Sequence, residues 1–383
     1  APSSALTDSL PENSDRFKLR WAKVNEGDAE IFFDGSGIAS LVENSLRDGE
    51  HIFIPVHPLE EGRWPAECLI ESGYISISAS YRTVFFEPEA GGILDKCADD
   101  GQTIMLKLHL EEPLPGIDGD RRLTRDKVQK CVALSTVLRD ELKREPLGSA
   151  CEIVPEFLGV AVAQSGVLLR QLPLRGVMPL FSLSSIDRGA PSAPTYIEQY
   201  FHKIYGAAAT EAAQSFGNEV ARPLVRSLLA GFRAGFSMEM HAQNVLIRPG
   251  DDSLIEKVFF RDLEGVVFSR EFRARRGRTP LFENIDNSEI DNSQVSMIRW
   301  FNRNLDHDLG RVFSASLYAL RRSGYFSSSD ERIAIRSVQE AVRECVADAE
   351  LQSLYWPGRL LPISRSPYGN GFSKGHYYRT RYR

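Results

Sequence analysis

The hydrophobic period of this sequence changes near Ala193, and this change constrains the fold more than any other feature. Before it, short β-branched and aromatic segments alternate apolar with polar residues between Gly, Pro or Asp. After it, long segments rich in Ala, Leu, Arg and Glu repeat their apolar positions at helical spacing. The two periods predict strands and then helices. The chain is therefore predicted to be α+β, with an antiparallel-sheet half packed against a mainly helical half.

Individual elements follow from the same patterns. In TIMLKLHL, Ile104, Leu106 and Leu108 share one face and Lys107 shares the other with His109, which predicts a sheet with one buried side. A helix is predicted from Thr124 to about residue 143. The other predicted strands are AEIFF, HIFIPV, YISISAS, RTVFFE, EFLGVAVAQ and GVLLRQL, and the later predicted helices cover residues 196–206, 207–235, 294–322 and 329–349.

Composition excludes several classes of partner. The chain has 383 residues and a formal net charge of -6, so a broad nucleic-acid surface is not expected. No apolar run reaches the roughly 18 to 20 residues that cross a bilayer, and residues 1–15 lack a signal-peptide pattern. We expect a cytoplasmic protein with a flexible lead-in over residues 1–15. The sequence leaves a homodimer open.

The segment from Glu239 to Gly265 concentrates polar side chains beside apolar strands. If the chain is extended after Gly235, Glu239, His241 and Gln243 point the same way. NVLI and KVFFRD, separated by the turn PGDDS, predict a hairpin whose second strand delivers Asp262. Carboxylate and amide oxygens, completed by phosphate and water, suit Mg²⁺. A polar hairpin mouth without function is the alternative.

Five further residues, in three segments of the sequence, are candidates for contacts with a ligand such as phosphate. Hydroxyls and a guanidinium come together in SASYRT, at Ser80, Arg82 and Thr83. Lys107 lies on the polar face of its predicted strand, where it is either solvated or bound to phosphate. Arg170 is a charge inside the apolar run VLLRQLP, so it either pairs with an acid or meets a ligand.

These motifs, in their order, resemble one family. EMHAQN followed by RDLEG resembles the E-x-H-x-Q-N … R-D-x-x-G signature of siderophore synthetases that act without a nonribosomal peptide synthetase, the aerobactin-synthetase-like (IucA/IucC) family. SASYRT is similar to that family's S-x-R-T nucleotide loop and MLKLHL to its K-L-x-L strand. IPVHP and LLRQLP match two more of its segments, so the resemblance runs from about residue 51 to residue 268.

The resemblance implies an ATP-dependent, AMP-forming amide or ester synthetase. Such ligases use Mg²⁺ and ATP to adenylate a citrate-like or other carboxylic acid, which an amine or alcohol then captures in siderophore or related natural-product biosynthesis. It further implies a nucleotide-binding region over residues 16–175 and a helical region over 176–383 that carries the metal site. By position, the implied ATP-contacting residues are Ser80, Arg82, Thr83, Lys107, Arg170, Gln243 and Asn244. Glu239 and Asp262 would bind the metal, and His241, with Arg82 and Lys107, would act in catalysis, His241 toward the acid.

The sequence departs from the family pattern more at the positions expected to bind the acid than at those expected to bind ATP. The family's N-terminal G-H-P-x-H-P motif is absent, so a shortened member is expected. Prolines and glycines interrupt the stretch after the K-L-x-L strand, which leaves Arg121, Arg122 and Arg125 as alternative substrate-binding arginines. Two other functions stay open. One is a small-molecule phosphotransferase of the aminoglycoside-kinase type, and the other is a non-catalytic nucleotide-binding homologue.

Overall fold

The computed structural model describes residues 16–77, 82–87, 91–95, 103–111, 121–163, 165–172, 176–186, 190, 192–278 and 294–348. The predicted lead-in over residues 1–15 and the candidate Ser80 lie outside these residues. The chain divides into two compact units. Unit 1 comprises the described residues within 1–138 and 153–175, and unit 2 those within 139–152 and 176–383. Residues 139–152 therefore belong with the later part of the chain.

Unit 1 is built on one nine-stranded antiparallel sheet. The strands are β1 (Arg16–Asn25), β2 (Ala29–Phe33), β3 (Arg47–Asp48), β4 (His51–Val56), β5 (Leu69–Ile77), β6 (Thr83–Glu87), β7 (Thr103–Leu108), β9 (Glu156–Val162) and β10 (Ser165–Leu172). Along the sheet they follow the order β2, β9, β10, β7, β6, β5, β1, β4, β3. Two helices accompany the sheet, α1 (Gly37–Leu46) and the first part of α2 (Arg125–Lys143).

Both faces of strand β7 are buried. Ile104, Leu106 and Leu108 join the main core of unit 1, as their alternation predicts. Lys107, on the opposite face, has no exposed surface either. The prediction of a sheet with only one buried side is therefore wrong at this strand. Part of the reason is α2, whose apolar residues pack against the opposite side of neighbouring strand β10 at Leu168.

Unit 2 is mainly helical, which confirms the predicted α+β class. Two of its helical runs contain a π-helical segment, at Gly217–Ala221 and at Asn304–Leu309. Its helices are α3 (Tyr196–Tyr205), α4 (Ala209–Phe216), α5 (Arg222–Ala234), α6 (Arg270–Arg275), α7 (Gln294–Arg303), α8 (Gly310–Arg322) and α9 (Ser328–Asp348). Its strands are β11 (Met178–Pro179), β12 (Phe236–Ser237), β13 (Val245–Arg248), β14 (Lys257–Phe260) and β15 (Val267–Phe268). Strand β8 (Cys151–Ile153) borders β14.

The predicted hairpin exists in unit 2. Strands β13 and β14 pair antiparallel, with Val245 opposite Phe260 and Arg248 opposite Lys257. Buried apolar residues of both strands, Ile247 and Val258 among them, hold the hairpin on the unit. Within the described part of the chain, no helix combines the length and apolar character that a bilayer crossing requires.

Candidate active site

Gly235 sets the direction of the chain that carries Glu239. It ends α5 in the left-handed region, at φ 83°, a conformation that glycine adopts without steric cost. A Cβ at this position would lie 2.1 Å from Cγ of Arg273. The chain therefore turns sharply into β12, which pairs with β15, and Glu239 follows two residues after β12.

The Glu239 carboxyl group is packed among polar and acidic neighbours. Asn244 Nδ2 donates to Glu239 Oε2 at 3.2 Å. A Cβ on Gly265 would lie 2.9 Å from Glu239 Cδ, so only glycine leaves room for the carboxyl group there. Burial raises the pKa of Glu239, and the charges of Asp262 and Asp308 raise it further. Glu239 is thus an acid whose charge the ligand-free protein disfavours.

The chain after His241 is a turn and not an extended strand. Asn244 N–H and Val245 N–H both donate to His241 O, at 2.8 and 3.1 Å. Gln243 N–H donates to His241 Nδ1 at 3.3 Å, and this local side-chain bond competes with extended structure. The chain is therefore not extended at Gln243, and the expectation that Gln243 shares one face with Glu239 and His241 is wrong. Asn244, which the turn brings back, is the amide that contacts Glu239.

Asp262 occupies a strained backbone position after β14. Its φ of 67° lies in the left-handed region, which few residues other than glycine, asparagine and aspartate adopt. Arg261, buried beside it, donates from N–H to Asn244 O and from Nε to Gln243 O, both at 3.0 Å. Arg261 thereby ties the His241 turn to the strand that delivers Asp262. Backbone strain of this kind concentrates at functional sites.

The π-helical segment Asn304–Leu309 contributes residues that the sequence reasoning did not select. Buried Asn304 contacts the chain on both sides of Glu239. Asp308 raises the pKa of both Glu239 and His241, and its Oδ1 lies 3.0 Å from Nδ1 of His307. One signal was available in the sequence, since NLDHD places four polar residues in five positions of a predicted helix.

Part of His241 reaches the surface, yet neighbouring atoms keep much of the water away from its imidazole ring. This partial desolvation lowers the pKa of the imidazole, Arg311, His307 and Arg303 lower it further, and Asp308 opposes them. The ring is therefore neutral at pH 7. A neutral imidazole fits a hydrogen bond to a substrate group better than a fixed ion pair.

We expect His241→Ala to weaken the use of the acid without weakening nucleotide binding. If His241 contacts the acid, KM for the acid should rise at least about tenfold, the value of one good hydrogen bond. The thermal stabilisation by Mg-ATP should stay. Steady-state kinetics and a melting curve measure the two, with exposed His202→Ala as the matched control. An unchanged KM would contradict the assignment.

Acidification should weaken the binding of metal at this site. The pKa of Glu239 is raised above 4.5, so protons compete for its carboxylate at a higher pH than at an exposed glutamate. As pH falls toward that pKa, the Mg²⁺ concentration needed for half-maximal stabilisation by ATP should increase. Melting curves at several pH values measure it. In Glu239→Gln the pH dependence should be smaller, and an equal dependence would contradict the role of Glu239.

In unit 1, the sheet register brings several nucleotide candidates together. Thr83 lies opposite Lys107 on adjacent strands, and Lys107 lies opposite Leu168 on the next strand. Leu108 N–H donates to Arg82 O at 2.7 Å, and an Arg82 NH group donates to Arg121 O. Arg82 is buried. The side chains of Thr83 and Lys107 therefore share one face of the sheet. Strand β7, which carries Lys107, lies two strands from β9, which carries Glu156.

Arg170 forms a buried ion pair with Glu156. Its Nε donates to Glu156 Oε1 at 2.7 Å, and a terminal NH group lies 2.5 Å from the same oxygen. The two side chains are 1% and 0% exposed. Of the two alternatives for Arg170, pairing with an acid is what the structure contains. A contact of Arg170 with nucleotide stays a prediction.

Breaking this pair should destabilise the protein strongly. Glu156→Gln removes the buried carboxylate that pairs with Arg170, and losing one partner of a buried ion pair costs about 3–5 kcal/mol. The double variant Glu156→Leu with Arg170→Met should recover much of that loss, because neither charge then remains buried. Urea unfolding measures both. The exposed pair Glu30–Arg125 is the control, and Glu30→Gln should have a far smaller effect. Equal effects at both pairs would contradict this reasoning.

The three alternative substrate arginines are placed differently. Arg125 holds Glu30 in a bidentate pair, at 2.6 Å from Nε and 2.7 Å from a terminal nitrogen. Arg121 is partly buried, with its backbone carbonyl bound by Arg82, whereas Arg122 is exposed. Arg125 is thus engaged at an exposed ion pair. The substrate role stays a prediction for all three.

A cleft of about 770 Å³ opens within unit 1 at other residues. Its lining includes Lys23, His51, Arg63, Trp64 and His109. The candidates Arg82, Thr83, Lys107 and Arg170 do not line it. His109 is fixed there by Leu123 N–H, which donates to its Nδ1 at 3.1 Å, and by Glu111 at 3.2 Å from its Nε2.

Within the described residues, no group of three or more His, Cys, Asp or Glu side chains is arranged to hold a metal ion. Mg²⁺ usually keeps several waters and binds through one or two carboxylates and substrate phosphates, so it does not require such a group.

Comparison with known proteins agrees with the fold. No family model and no curated protein matches the sequence. Among solved structures, ATP-bound aerobactin synthetase IucA from a hypervirulent pathotype of Klebsiella pneumoniae matches 89% of this chain, with a TM-score of 0.63 and 17% identity. Aerobactin synthetase IucC from the same pathotype matches 96%, with a TM-score of 0.64 and 15% identity.

A third match is petrobactin biosynthesis protein AsbB from Bacillus anthracis str. Sterne, over 90% of this chain with a TM-score of 0.61 and 15% identity. The chain spans 64% of the IucA and AsbB chains and 70% of the IucC chain. At these identities the match concerns the fold. This chain has the fold of the siderophore synthetases that act without a nonribosomal peptide synthetase.

Proposed function

We propose that this chain is an ATP-dependent ligase that adenylates a carboxylic acid and transfers the acyl group to an amine or alcohol. The observation that supports this most is the fold shared with the aerobactin and petrobactin proteins, one of them bound to ATP. The acid is citrate-like or another polycarboxylate. The product belongs to siderophore or related natural-product biosynthesis.

The residues of unit 2 fit a magnesium ion. Glu239 carries a charge that burial and two neighbouring acids, Asp262 and Asp308, make unfavourable, and a cation would relieve that cost. Glu239 and Asp262 would hold the ion, and Asn244 keeps the Glu239 carboxylate oriented. Bound Mg²⁺ supplies charge neutralisation for nucleotide phosphates.

The chain's own groups then have separate tasks. A carboxylate oxygen of the acid attacks the α-phosphorus of ATP, and pyrophosphate leaves. The amine or alcohol next attacks the acyl carbon, AMP leaves, and the nucleophile loses its proton. Arg82, Thr83 and Lys107 offer donors and positive charge for phosphate oxygens, and neutral His241 offers a hydrogen bond to the acid. Positioned donors and cations supply most of the rate enhancement in such reactions.

A panel of carboxylic acids tests the proposal. Each acid is incubated with the protein, Mg-ATP and hydroxylamine, and pyrophosphate, AMP and hydroxamate are measured. At least one acid should yield all three in equal amounts. ADP instead of AMP would favour the phosphotransferase alternative. Stabilisation by ATP without turnover on any acid would favour the non-catalytic alternative, and either result would sink the ligase proposal.

A further inference from the structure

We propose that Asn304 is the positioning residue for Glu239, holding the main chain on both sides of it so that the carboxylate is placed for the metal. The inference rests on the proposed function, because it concerns the same site. Asn304 is 65 positions away from Glu239 in sequence, and no motif includes it.

The hydrogen bonds of Asn304 bracket Glu239. Nδ2 donates to Met238 O and to Ser237 Oγ, both at 2.9 Å. Oδ1 accepts from Met240 N–H at 3.3 Å. Asn304 thus binds the residue before Glu239 and the residue after it, and a single amide satisfies a backbone donor and a backbone acceptor.

All three hydrogen bonds of Asn304 are buried. Asn304 has no exposed surface, and Met238 and Met240 are 3% and 0% exposed. Water therefore has little access to replace a lost bond, so removing the amide leaves buried backbone groups unsatisfied. The short strand β12 pairs with β15 over only two residues, so this segment has few other bonds that fix it.

Two residues of the π-helical segment Asn304–Leu309 act near Glu239 in different ways. Asn304 and Asp308 are four residues apart, a spacing that places side chains on the same side of a helix. Asn304 binds the Glu239 main chain, while Asp308 contributes charge near Glu239 and His241. π-helical turns are rare in proteins as a whole, and many of those that occur lie at functional sites.

Asn304→Ala tests the assignment through the magnesium requirement. The Mg²⁺ concentration for half-maximal thermal stabilisation by ATP should rise about tenfold or more, as for residues that orient metal ligands. Hydrogen exchange in the peptide that contains Met240 should accelerate. At saturating Mg²⁺, kcat for acid-dependent pyrophosphate release should fall less than about threefold. Ser237→Ala, which removes one of the three bonds, should show a smaller shift.

Ser227→Ala is the matched control for a merely structural loss. Ser227 is 1% exposed and donates to Pro223 O at 2.8 Å, also in unit 2. The Ser227→Ala variant should have a lower melting temperature and an unchanged magnesium requirement. If Asn304→Ala shifts the magnesium requirement no more than Ser227→Ala does, the assignment is overturned.

The same measurements separate this inference from the proposed function. Thermal stabilisation by ATP requires binding but no turnover. A wild-type protein that binds Mg-ATP but activates no acid would therefore refute the ligase proposal, and the magnesium requirement of Asn304→Ala could still be measured. A wild-type protein whose stabilisation by ATP is independent of Mg²⁺ would overturn the Asn304 assignment itself.

Discussion

Glu239→Gln is expected to give a protein that melts at a higher temperature without ligands and has lost nearly all activity. The pKa of Glu239 is raised in the folded protein, by burial first and then by Asp262 and Asp308. For an acid with a raised pKa, folding binds protons, so stability falls as pH rises from 4.5 through that pKa. At pH 7 the charged carboxylate therefore opposes folding, and a neutral amide of the same shape removes that opposition.

Activity should change in the opposite direction. An amide is a weak replacement for a carboxylate at Mg²⁺, so pyrophosphate release should fall by about 100-fold or more, the usual cost of losing one preorganised charge contact. Calorimetry and pyrophosphate release measure the two effects. Glu256→Gln, an exposed glutamate on the turn of the same hairpin, is the control and should change neither. A Glu239→Gln protein with both lower stability and full activity would refute this account.

Lys107→Met should abolish nucleotide binding while the sheet stays folded. Lys107 is fully buried in β7, where methionine has similar length and no charge. If its ammonium group neutralises phosphate, ATP should no longer raise the melting temperature, and pyrophosphate release should fall by about 100-fold.

The control is a lysine from another strand of the same sheet. Lys23, on β1, pairs with Asp48 at 2.8 Å on a partly exposed surface. Lys23→Met should retain ATP stabilisation and activity. Binding of ATP with unchanged affinity by Lys107→Met would exclude Lys107 from the nucleotide site, whatever the outcome at Glu239.

Much of the fold was predictable because its signals are local. Strands β2 and β4 and helix α2 follow from alternation and helical spacing within a few residues. Strand β1 is not among the predicted strands, although Leu19 and Trp21 are buried and Lys18 and Arg20 are exposed. Its alternating pattern was present in the sequence, but charged residues lower the strand propensity.

The site was predictable only in part, because some of the contacts that complete it join residues far apart in the sequence. Glu239, His241 and Asp262 stand out as clustered polar residues, and Asn244 contacts Glu239. The turn after His241 depends on one imidazole nitrogen that accepts a backbone hydrogen bond, which no alternation pattern reveals. Asn304 reaches Glu239 across the fold, and sequence spacing carries no information about such contacts.

The left-handed backbone conformation of Asp262 limits which residues a selection experiment would recover at this position. The backbone accepts glycine, asparagine and aspartate, whereas a magnesium ligand must be aspartate or glutamate. Aspartate alone belongs to both sets. A library of all twenty residues at this position, sorted for folding, should return glycine and asparagine as well as aspartate. The same library sorted for product formation should return aspartate alone, so the two selections together would separate what the chain needs to fold from what it needs to work.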